Sequence, residues 1–186
     1  DALFTATSAA TVTGLITVDT PTFWSLPGQM VIVVMMFMGG LGIMTIATAL
    51  FVIAGQRASL SQRLIMRETT GATEFTNITS ITVRIVIWAL LIQIIGFALL
   101  FIRFVFLYSP VTAAWHALFQ AVSGFNNAGF TSIPNSASLS IFRSDELVLG
   151  IIAGLIIVGS LSYWVMAEVL RVKRVATFTL NTKLVL

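Results

Sequence analysis

Long apolar stretches alternate with short polar segments along this chain. No charged residue occurs in residues 20–56, 85–102 or 147–167. A helix needs about 20 apolar residues to cross a hydrocarbon core of ~30 Å. We therefore predict an all-α integral membrane protein, whose spans are residues 29–54, residues 80–106 and a third helix that begins near Leu147.

The second pattern is an internal repeat. The chain begins DALFTATSAATVTGLITVDT, and HALFQAVSGFNNAGFTSIPN follows later. When Gly14 is aligned with Gly129, the preceding residues align without a gap, and the identical residues in the first copy are Ala2, Leu3, Phe4, Ala6 and Ser8. Each copy is an apolar helix followed by small and polar residues and then glycine, so the chain contains two copies of one structural unit.

The helix of the second copy, about residues 111–123, is too short to cross a membrane. At 1.5 Å per residue it is ~20 Å long, and the following GFNNAGFTSIPNSAS is typical of a loop. The next span begins only near Leu147, with Ser144 as its predicted N-cap. The loop must therefore return to the side that it left. We predict a re-entrant loop here and another after the helix that ends at Ser8.

These patterns divide the chain into four parts. We predict an incomplete first unit in residues 1–54, a cytoplasmic linker in residues 55–79, a complete second unit in residues 80–174, and the approach to a third unit in residues 175–186. The chain begins inside a helix, so we expect it to be a piece of a longer protein. The predicted architecture is a tandem of units, each made of a span, a re-entrant loop and a closing span.

The basic residues indicate the orientation in the membrane. Eight of the ten lysines and arginines lie in residues 55–84 or after the third span, and the other two, Arg103 and Arg143, lie between the end of the second span and the start of the third. Positive charge collects in cytoplasmic loops, which places residues 55–84 and 171–186 inside the cell and both glycine loops outside. We therefore interpret the net charge of +3 as an orientation signal, not as a nucleic-acid-binding surface.

The composition supports a membrane protein and argues against an enzyme. Hydrophobic residues make up 58% of the chain and charged residues 9%, whereas roughly a quarter of residues are charged in soluble domains. With one histidine and no cysteine, the sequence offers no nucleophile–base pair, metal-ligand cluster or phosphate-binding glycine loop. We predict a protein that is not an enzyme and that holds no covalently bound cofactor.

The two glycine loops have the chemistry of a cation site. Non-helical backbone at membrane depth needs partners for its carbonyl groups, and selectivity filters use carbonyl oxygens in place of the water around an ion. Thr11 and Val12 are β-branched and favour extended backbone, whereas Gly14 and Gly129 allow positive φ and close approach. The negative C-terminal ends of the short helices favour cations.

Structural explanations compete with functional ones at several positions. Each loop glycine could be a plain helix cap, and the small residues in MGGLG and GSLS could pack helices together. The remaining polar residues are interpreted structurally: Gln93 as a partner in an interhelical hydrogen bond, His116 as an interfacial residue that is not a ligand, and Glu168 as a paired or solvated residue near the end of a span.

Together these motifs resemble the Ktr/Trk/HKT superfamily of potassium transporters, in particular its bacterial KtrB-type membrane subunit. The likeness rests on DALFTATSAATVTGLITVDT, MGGLGIMT and FQAVSGFNNAGF and extends over the whole chain. It implies four span–loop–span repeats around a pore with pseudo-fourfold symmetry, and one filter glycine from each loop. The implied filter residues are Thr11, Val12, Thr13 and Gly14 in the first copy and Asn126, Asn127, Ala128 and Gly129 in the second.

The resemblance also implies a substrate and partners. The filter would bind K⁺ through backbone carbonyls, and Gly14 favours potassium because plant relatives with serine at this position prefer sodium. Family members form homodimers and bind a cytosolic nucleotide-binding regulatory subunit of the KtrA/TrkA type. We expect both partners here, together with the lipid bilayer and without nucleic acid.

The predicted function is uptake of K⁺, and secondarily of Na⁺, across the plasma membrane. The membrane potential would drive it with ~2.3 kcal/mol per elementary charge per 100 mV. The alternative is a proton- or sodium-coupled secondary transporter with a midplane site, for which Glu168 is the candidate ionisable residue. A third interpretation is a membrane scaffold that transports nothing.

Overall fold

The computed structural model describes residues 1–42, 78–134 and 139–161 together with Val165. Every regular element in these ranges is helical, as predicted. The order is α1 (Ala2–Ala10), α2 (Thr20–Phe23), α3 (Leu26–Leu41), α4 (Ile78–Phe104), α5 (Pro110–Phe125), a 3₁₀ helix (Ser140–Phe142) and α6 (Glu146–Ser160). The predicted linker lies almost entirely outside these ranges, and so do Glu168 and residues 175–186.

Two short helices form where the repeat predicts them. α1 ends at Ala10 and α5 at Phe125, each two residues beyond the predicted end. Pro110 begins α5, where its missing backbone N–H removes no helical hydrogen bond. With 16 residues, α5 is ~24 Å long at 1.5 Å per residue, which is shorter than a bilayer core.

The structure describes the three predicted spans to different extents. Among the described residues, one helix segment is long and apolar enough to cross a membrane, Val83–Phe104 in α4. The described helices α3 and α6 are apolar and have 16 and 15 residues. α3 ends at Leu41, where Gly42 turns to a φ of 79°, and the rest of the predicted first span, residues 43–54, lies outside the described residues. Hydrophobicity alone does not reveal the stop, since the sequence on both sides of Gly42 is apolar.

The start of α6 differs from the prediction by one residue. Asp145, not Ser144, is the N-cap, and its carboxylate accepts a hydrogen bond from the Val148 N–H at 3.3 Å. A carboxylate caps the first turn as a hydroxyl does and also interacts favourably with the helix dipole. The same carboxylate accepts the Arg103 Nε–H at 2.8 Å, which joins α6 to the end of α4.

The pKa of the Asp145 carboxyl reflects these contacts. Desolvation by burial raises the pKa, but hydrogen bonds from the Val148 N–H and the Arg103 guanidinium outweigh this effect, and the pKa lies below its ordinary value. The ionised form is therefore the one that this helix junction stabilises.

α4 packs against α5 and α6. Three alanines of α5, Ala113, Ala117 and Ala121, are buried in a cluster that also contains Leu100 and Phe104 of α4. Small side chains let two helix backbones approach closely, so this alanine face holds α5 against α4.

A second apolar cluster joins the two copies of the repeat. Ile32 and Met36 of α3 are buried together with Phe119 and Val122 of α5. Beside this cluster, the Trp115 indole N–H donates to the Gln29 side-chain oxygen at 2.8 Å. The closing helix of the first copy therefore packs against the short helix of the second.

Gln93 does not make the interhelical hydrogen bond that was expected of it. Its side chain is 6% exposed, and its Nε2 has no hydrogen-bond partner in the part of the chain that the structure describes. Gln93 lines a cavity of about 750 Å³ between α3, α4 and α5, together with side chains that include Phe37 and Leu118. These apolar neighbours offer the amide no acceptor.

Candidate functional site

The candidate site consists of two loops, loop 1 (residues 11–14) after α1 and loop 2 (residues 126–129) after α5. Their backbones have the same conformation. Val12 and Asn127 have φ of 50° and 56°, and Gly14 and Gly129 have φ of 78° and 73°. Each pair lies at the offset of 115 residues that aligns the two sequence copies. The internal repeat is therefore a repeat of backbone geometry as well as of sequence.

The backbone amides of both loops turn back to their helices. In loop 1, Thr13 N–H donates to Ser8 O at 2.9 Å and Val12 N–H to Ala9 O at 3.2 Å. In loop 2, the same two hydrogen bonds run from Ala128 to Ser123 at 2.8 Å and from Asn127 to Gly124 at 3.2 Å. The amides thus satisfy carbonyls of the last helical turn, which would otherwise lack partners.

The carbonyl oxygens of these loops have no such partners. No hydrogen bond within the described ranges reaches the six carbonyl oxygens of residues 11–13 and 126–128. With the three amides before each glycine bound and these acceptors free, each loop offers oxygen atoms to a ligand. This pattern suits a cation and disfavours an anion.

Two sequence interpretations of these loops need correction. Thr11 and Val12 are not extended: Thr11 has φ −92° and ψ 3°, and Val12 lies in the left-handed region. The chain continues to turn here because its amides pair with the end of α1. The glycines are also not plain helix caps, since the cap residues are Thr11 and Asn126 and each glycine follows three residues later.

The two loops meet at their glycines. A Cβ atom built on Gly14 would lie 2.7 Å from the Ala128 carbonyl oxygen and 3.1 Å from the Gly129 Cα. A Cβ built on Gly129 would lie 3.2 Å from the Gly14 Cα. Only glycine allows this approach together with positive φ. Residues that are 115 positions apart in the sequence therefore lie side by side in the candidate site.

The small residues of the closing helices hold the loops in place. A Cβ on Gly39 of α3 would overlap the Ala10 carbonyl, and a Cβ on Gly159 of α6 would overlap the Phe125 carbonyl. Ala10 and Phe125 are the last residues of the two short helices, so each closing helix contacts its own short helix at the equivalent point. The interpretation of these glycines as packing residues is confirmed.

The loop side chains differ although the backbones agree. Thr11 and Thr13 hydroxyls are hydrogen-bonded to each other at 2.7 Å. The Asn126 amide donates to Val122 O at 2.9 Å, and its buried oxygen has no partner. A Cβ on Gly40 of α3 would overlap this Asn126 side chain, so the first closing helix also packs against loop 2.

Sequence reasoning missed a second set of contacts, just after each glycine. The Thr17 hydroxyl donates to the Asp1 carboxylate at 3.1 Å, and His116 Nδ1 is hydrogen-bonded to the Ser132 hydroxyl at 2.8 Å. His116 is therefore buried and paired, not interfacial, with 7% of its surface exposed. The signal was present in the repeat, since Asp1 aligns with His116 and Thr17 aligns with Ser132.

Comparison with known proteins places the chain in a family. Residues 1–184 match the TrkH family, described as "Cation transport protein". The chain is 36% identical over 186 residues to the potassium/sodium uptake protein NtpJ of Enterococcus hirae, and 37% identical over 186 residues to Ktr system potassium uptake protein B of Bacillus subtilis. In both cases all of this chain and 41% of the relative are aligned.

A further relative is Ktr system potassium uptake protein B of Vibrio alginolyticus. It is 41% identical over 171 residues, which is 92% of this chain and 37% of the relative. The chain thus spans about two fifths of the length of the curated relatives that it matches. The resemblance noted in the sequence is confirmed, and the chain belongs to the TrkH family of cation transport proteins, which implies a membrane protein.

Proposed function

We propose that loops 1 and 2 are two filter loops of a cation uptake protein that selects K⁺ with backbone carbonyl oxygens. One observation carries the proposal: two loops with the same backbone, bound amides before the glycine and free carbonyls meet at Gly14 and Gly129. The names of the relatives, potassium or potassium/sodium uptake proteins, support the choice of ions.

The helices behind the loops add to the preference for cations. α1 and α5 both run into their loops with the C-terminal end, which carries the negative end of the helix dipole. Within the described residues, no cluster of three or more His, Asp or Glu side chains could hold a metal ion. The backbone oxygens are therefore the ligands that we assign to the transported ion.

Two loops do not surround an ion, so the proposal includes further units. The second unit has a pocket of about 170 Å³ lined by residues that include Gly124, Ile152 and Ile156. The equivalent residues of the first unit, Ala9, Ile32 and Met36, are buried under Phe119 and Val122 of the second. If each unit covers the one before it in this way, a third unit fills this pocket, and four units complete the pseudo-fourfold ring.

The membrane arrangement follows from the charges. We place the glycine loops outside and residues 55–84 and 171–186 inside the cell, with K⁺ entering down the membrane potential. A homodimer and a cytosolic nucleotide-binding regulator are part of the proposal. The name "Ktr system" of the relatives agrees with an assembly of several components.

A coupled secondary transporter would need an ionisable residue near the middle of a span. In the described spans, Arg84 lies in the second turn of α4 and Glu146 in the first turn of α6. Arg103, near the end of α4, is paired with Asp145, the N-cap of α6. Glu168 lies outside the described residues. No observation on the described part of the chain favours this alternative.

Uptake by the whole protein tests the proposal. In a strain that lacks potassium uptake systems, Gly129→Ala should reduce rescue at low K⁺, because alanine at φ 73° strains the loop and crowds Gly14. Gly150→Ala is the matched control, since a Cβ there meets nothing within 4 Å. Normal K⁺-selective rescue by Gly129→Ala, at an equal amount of protein in the membrane, would contradict the filter assignment.

A further inference from the structure

We infer that the Asp1–Thr17 and His116–Ser132 hydrogen bonds are equivalent straps that fix the two loops for ion selection, and that His116 and Ser132 are positioning residues. This inference rests on the proposed function of the loops. The straps contact neither the loop carbonyls nor the place between Gly14 and Gly129, so they act through the backbone that they hold.

The straps occupy the same place in both units. Each joins a residue of the short-helix segment, thirteen positions before the loop glycine, to a hydroxyl three positions after it. The chemical groups differ, a carboxylate with threonine in one unit and an imidazole with serine in the other. Different side chains thus make the same connection at the same place.

Each strap supports the side of the loop that follows the glycine. Before the glycine, amide hydrogen bonds tie the loop to its helix, as in Thr13 to Ser8 and Ala128 to Ser123. After the glycine, the strap supplies this support in the first unit, and in the second unit it adds to a hydrogen bond from the Ser123 hydroxyl to the Phe130 carbonyl. The strap connects the segment after the glycine to the helix, so the backbone is held on both sides of the glycine.

The second unit is held more firmly than the first. Ser132 is 1% exposed, and the Tyr108 ring packs edge-on against His116 with centroids 5.0 Å apart. An additional hydrogen bond runs from the Ser123 hydroxyl to the Phe130 carbonyl at 2.6 Å. Among the described residues, the equivalent hydroxyl of the first unit, Ser8, has no partner, and the strap of the first unit is exposed to solvent. Because the second strap is buried, its loss leaves a polar group unpaired inside the protein. Loss of the second strap should therefore affect the site more than loss of the first.

The experiment measures K⁺ uptake by the whole protein with and without competing Na⁺. Ser132→Ala and His116→Phe break the second strap, whereas Ser132→Thr and His116→Asn keep a hydroxyl or an acceptor near the same position. We expect Ser132→Ala and His116→Phe to lower the preference for K⁺ over Na⁺ several-fold and to raise the KM for K⁺. The two conservative variants should stay close to the unsubstituted protein.

Thr17→Val provides the matched test in the first unit, where the exposed strap makes misfolding a smaller concern. Thr17→Val should also lower the preference for K⁺ over Na⁺, but to a smaller extent than Ser132→Ala. The inference is overturned if Ser132→Ala and Ser132→Thr discriminate equally, or if strap variants change only the amount of protein in the membrane. Should Ser132→Ala fail to reach the membrane, an unchanged preference in Thr17→Val would overturn it as well.

Gly129→Ala in the same assay separates the two proposals. If it alters discrimination while all strap variants do not, the loops select ions without the straps. If neither the glycine nor the strap variants alter discrimination, the filter assignment itself fails.

Discussion

At the scale of single residues, Val12 shows that the preferences of the loop residues do not determine the loop conformation. A β-branched residue at a φ of 50° is a genuine outlier and costs on the order of 1–3 kcal/mol. Asn127, at the equivalent position, tolerates this region better. Since both adopt it, the hydrogen bonds to the helix ends and the contact between the loops must determine the turn.

Gly14→Ser should weaken discrimination between K⁺ and Na⁺ in the whole protein. The new Cβ would lie 2.7 Å from the Ala128 carbonyl oxygen, so loop 2 must shift and a proposed ion ligand moves with it. Uptake of K⁺ at rising Na⁺ concentrations measures the effect.

The control for this prediction is Gly150→Ser, where a Cβ meets open space. It should leave the ratio of K⁺ to Na⁺ uptake unchanged. A Gly14→Ser protein that is present in normal amounts and discriminates as before would show that Gly14 has no part in ion selection.

At the scale of helices, close packing at glycine positions the loops. Gly159→Ala should destabilise the protein, because the added Cβ overlaps the Phe125 carbonyl and α6 must move away from α5. Overpacking of this kind costs about 1–3 kcal/mol. The melting temperature of the purified whole protein in detergent should fall.

Gly154→Ala, five residues earlier on α6, is the comparison. Nothing lies within 4 Å of its added Cβ, and alanine favours a helix over glycine by roughly 0.5–1 kcal/mol. Its melting temperature should be unchanged or higher. Equal destabilisation at both positions would mean that backbone contact at Gly159 is not the cause.

The junction between α4 and α6 predicts a dependence of stability on pH. The folded-state pKa of Asp145 is lowered from 3.8, so the ionised carboxylate stabilises the fold at higher pH. This stabilisation is complete above the ordinary pKa and is lost as the pH falls through the lower, folded-state value. Asp145→Asn retains a capping oxygen but loses the ion pair with Arg103.

Melting temperatures of both proteins between about pH 7 and pH 3 measure this contribution, with the window set by the ordinary and lowered Asp pKa. The unsubstituted protein should be the more stable at neutral pH, and the difference should shrink below pH 3.8. A difference that stays constant down to pH 3 would contradict a role for the charge of Asp145.

At the scale of the whole molecule, the two units differ in how they are covered. Met36 is completely buried by the second unit, whereas Ile156, its equivalent, is 41% exposed and lines a pocket. This uncovered side of the second unit is where the proposal places a third unit. Four loops would be needed to place oxygen ligands on all sides of an ion.

The 186-residue chain by itself should therefore not conduct K⁺ selectively. In proteoliposomes, a monomeric preparation of it should give no K⁺ flux above empty vesicles, whereas a protein with all four proposed units should give a flux that Gly129→Ala reduces. Circular dichroism checks that the 186-residue chain is helical in the vesicles. K⁺-selective flux from the monomeric chain would show that two loops are sufficient.

The sequence indicated the broad outline of the site because the outline depends on local chemistry. Short apolar helices, the glycine after each and the repeat that relates them are visible in residue type and spacing. The end of α3 at Gly42 was not visible in the sequence, since apolar residues continue on both sides of this glycine. The pairing of His116 with Ser132 was also missed, because a hydrogen bond across sixteen residues depends on how the loop folds back.

By itself, the sequence determined the helical character, the two copies and the positive φ of Gly14 and Gly129, because hydrophobic length and backbone freedom are properties of short segments. Only the tertiary structure decided that Gly14 lies against Gly129 and that the loop carbonyls are left free. It also decided that Gly39 and Gly159 contact the last residues of the two short helices. These features depend on contacts between segments far apart in the chain, which follow from how the helices pack.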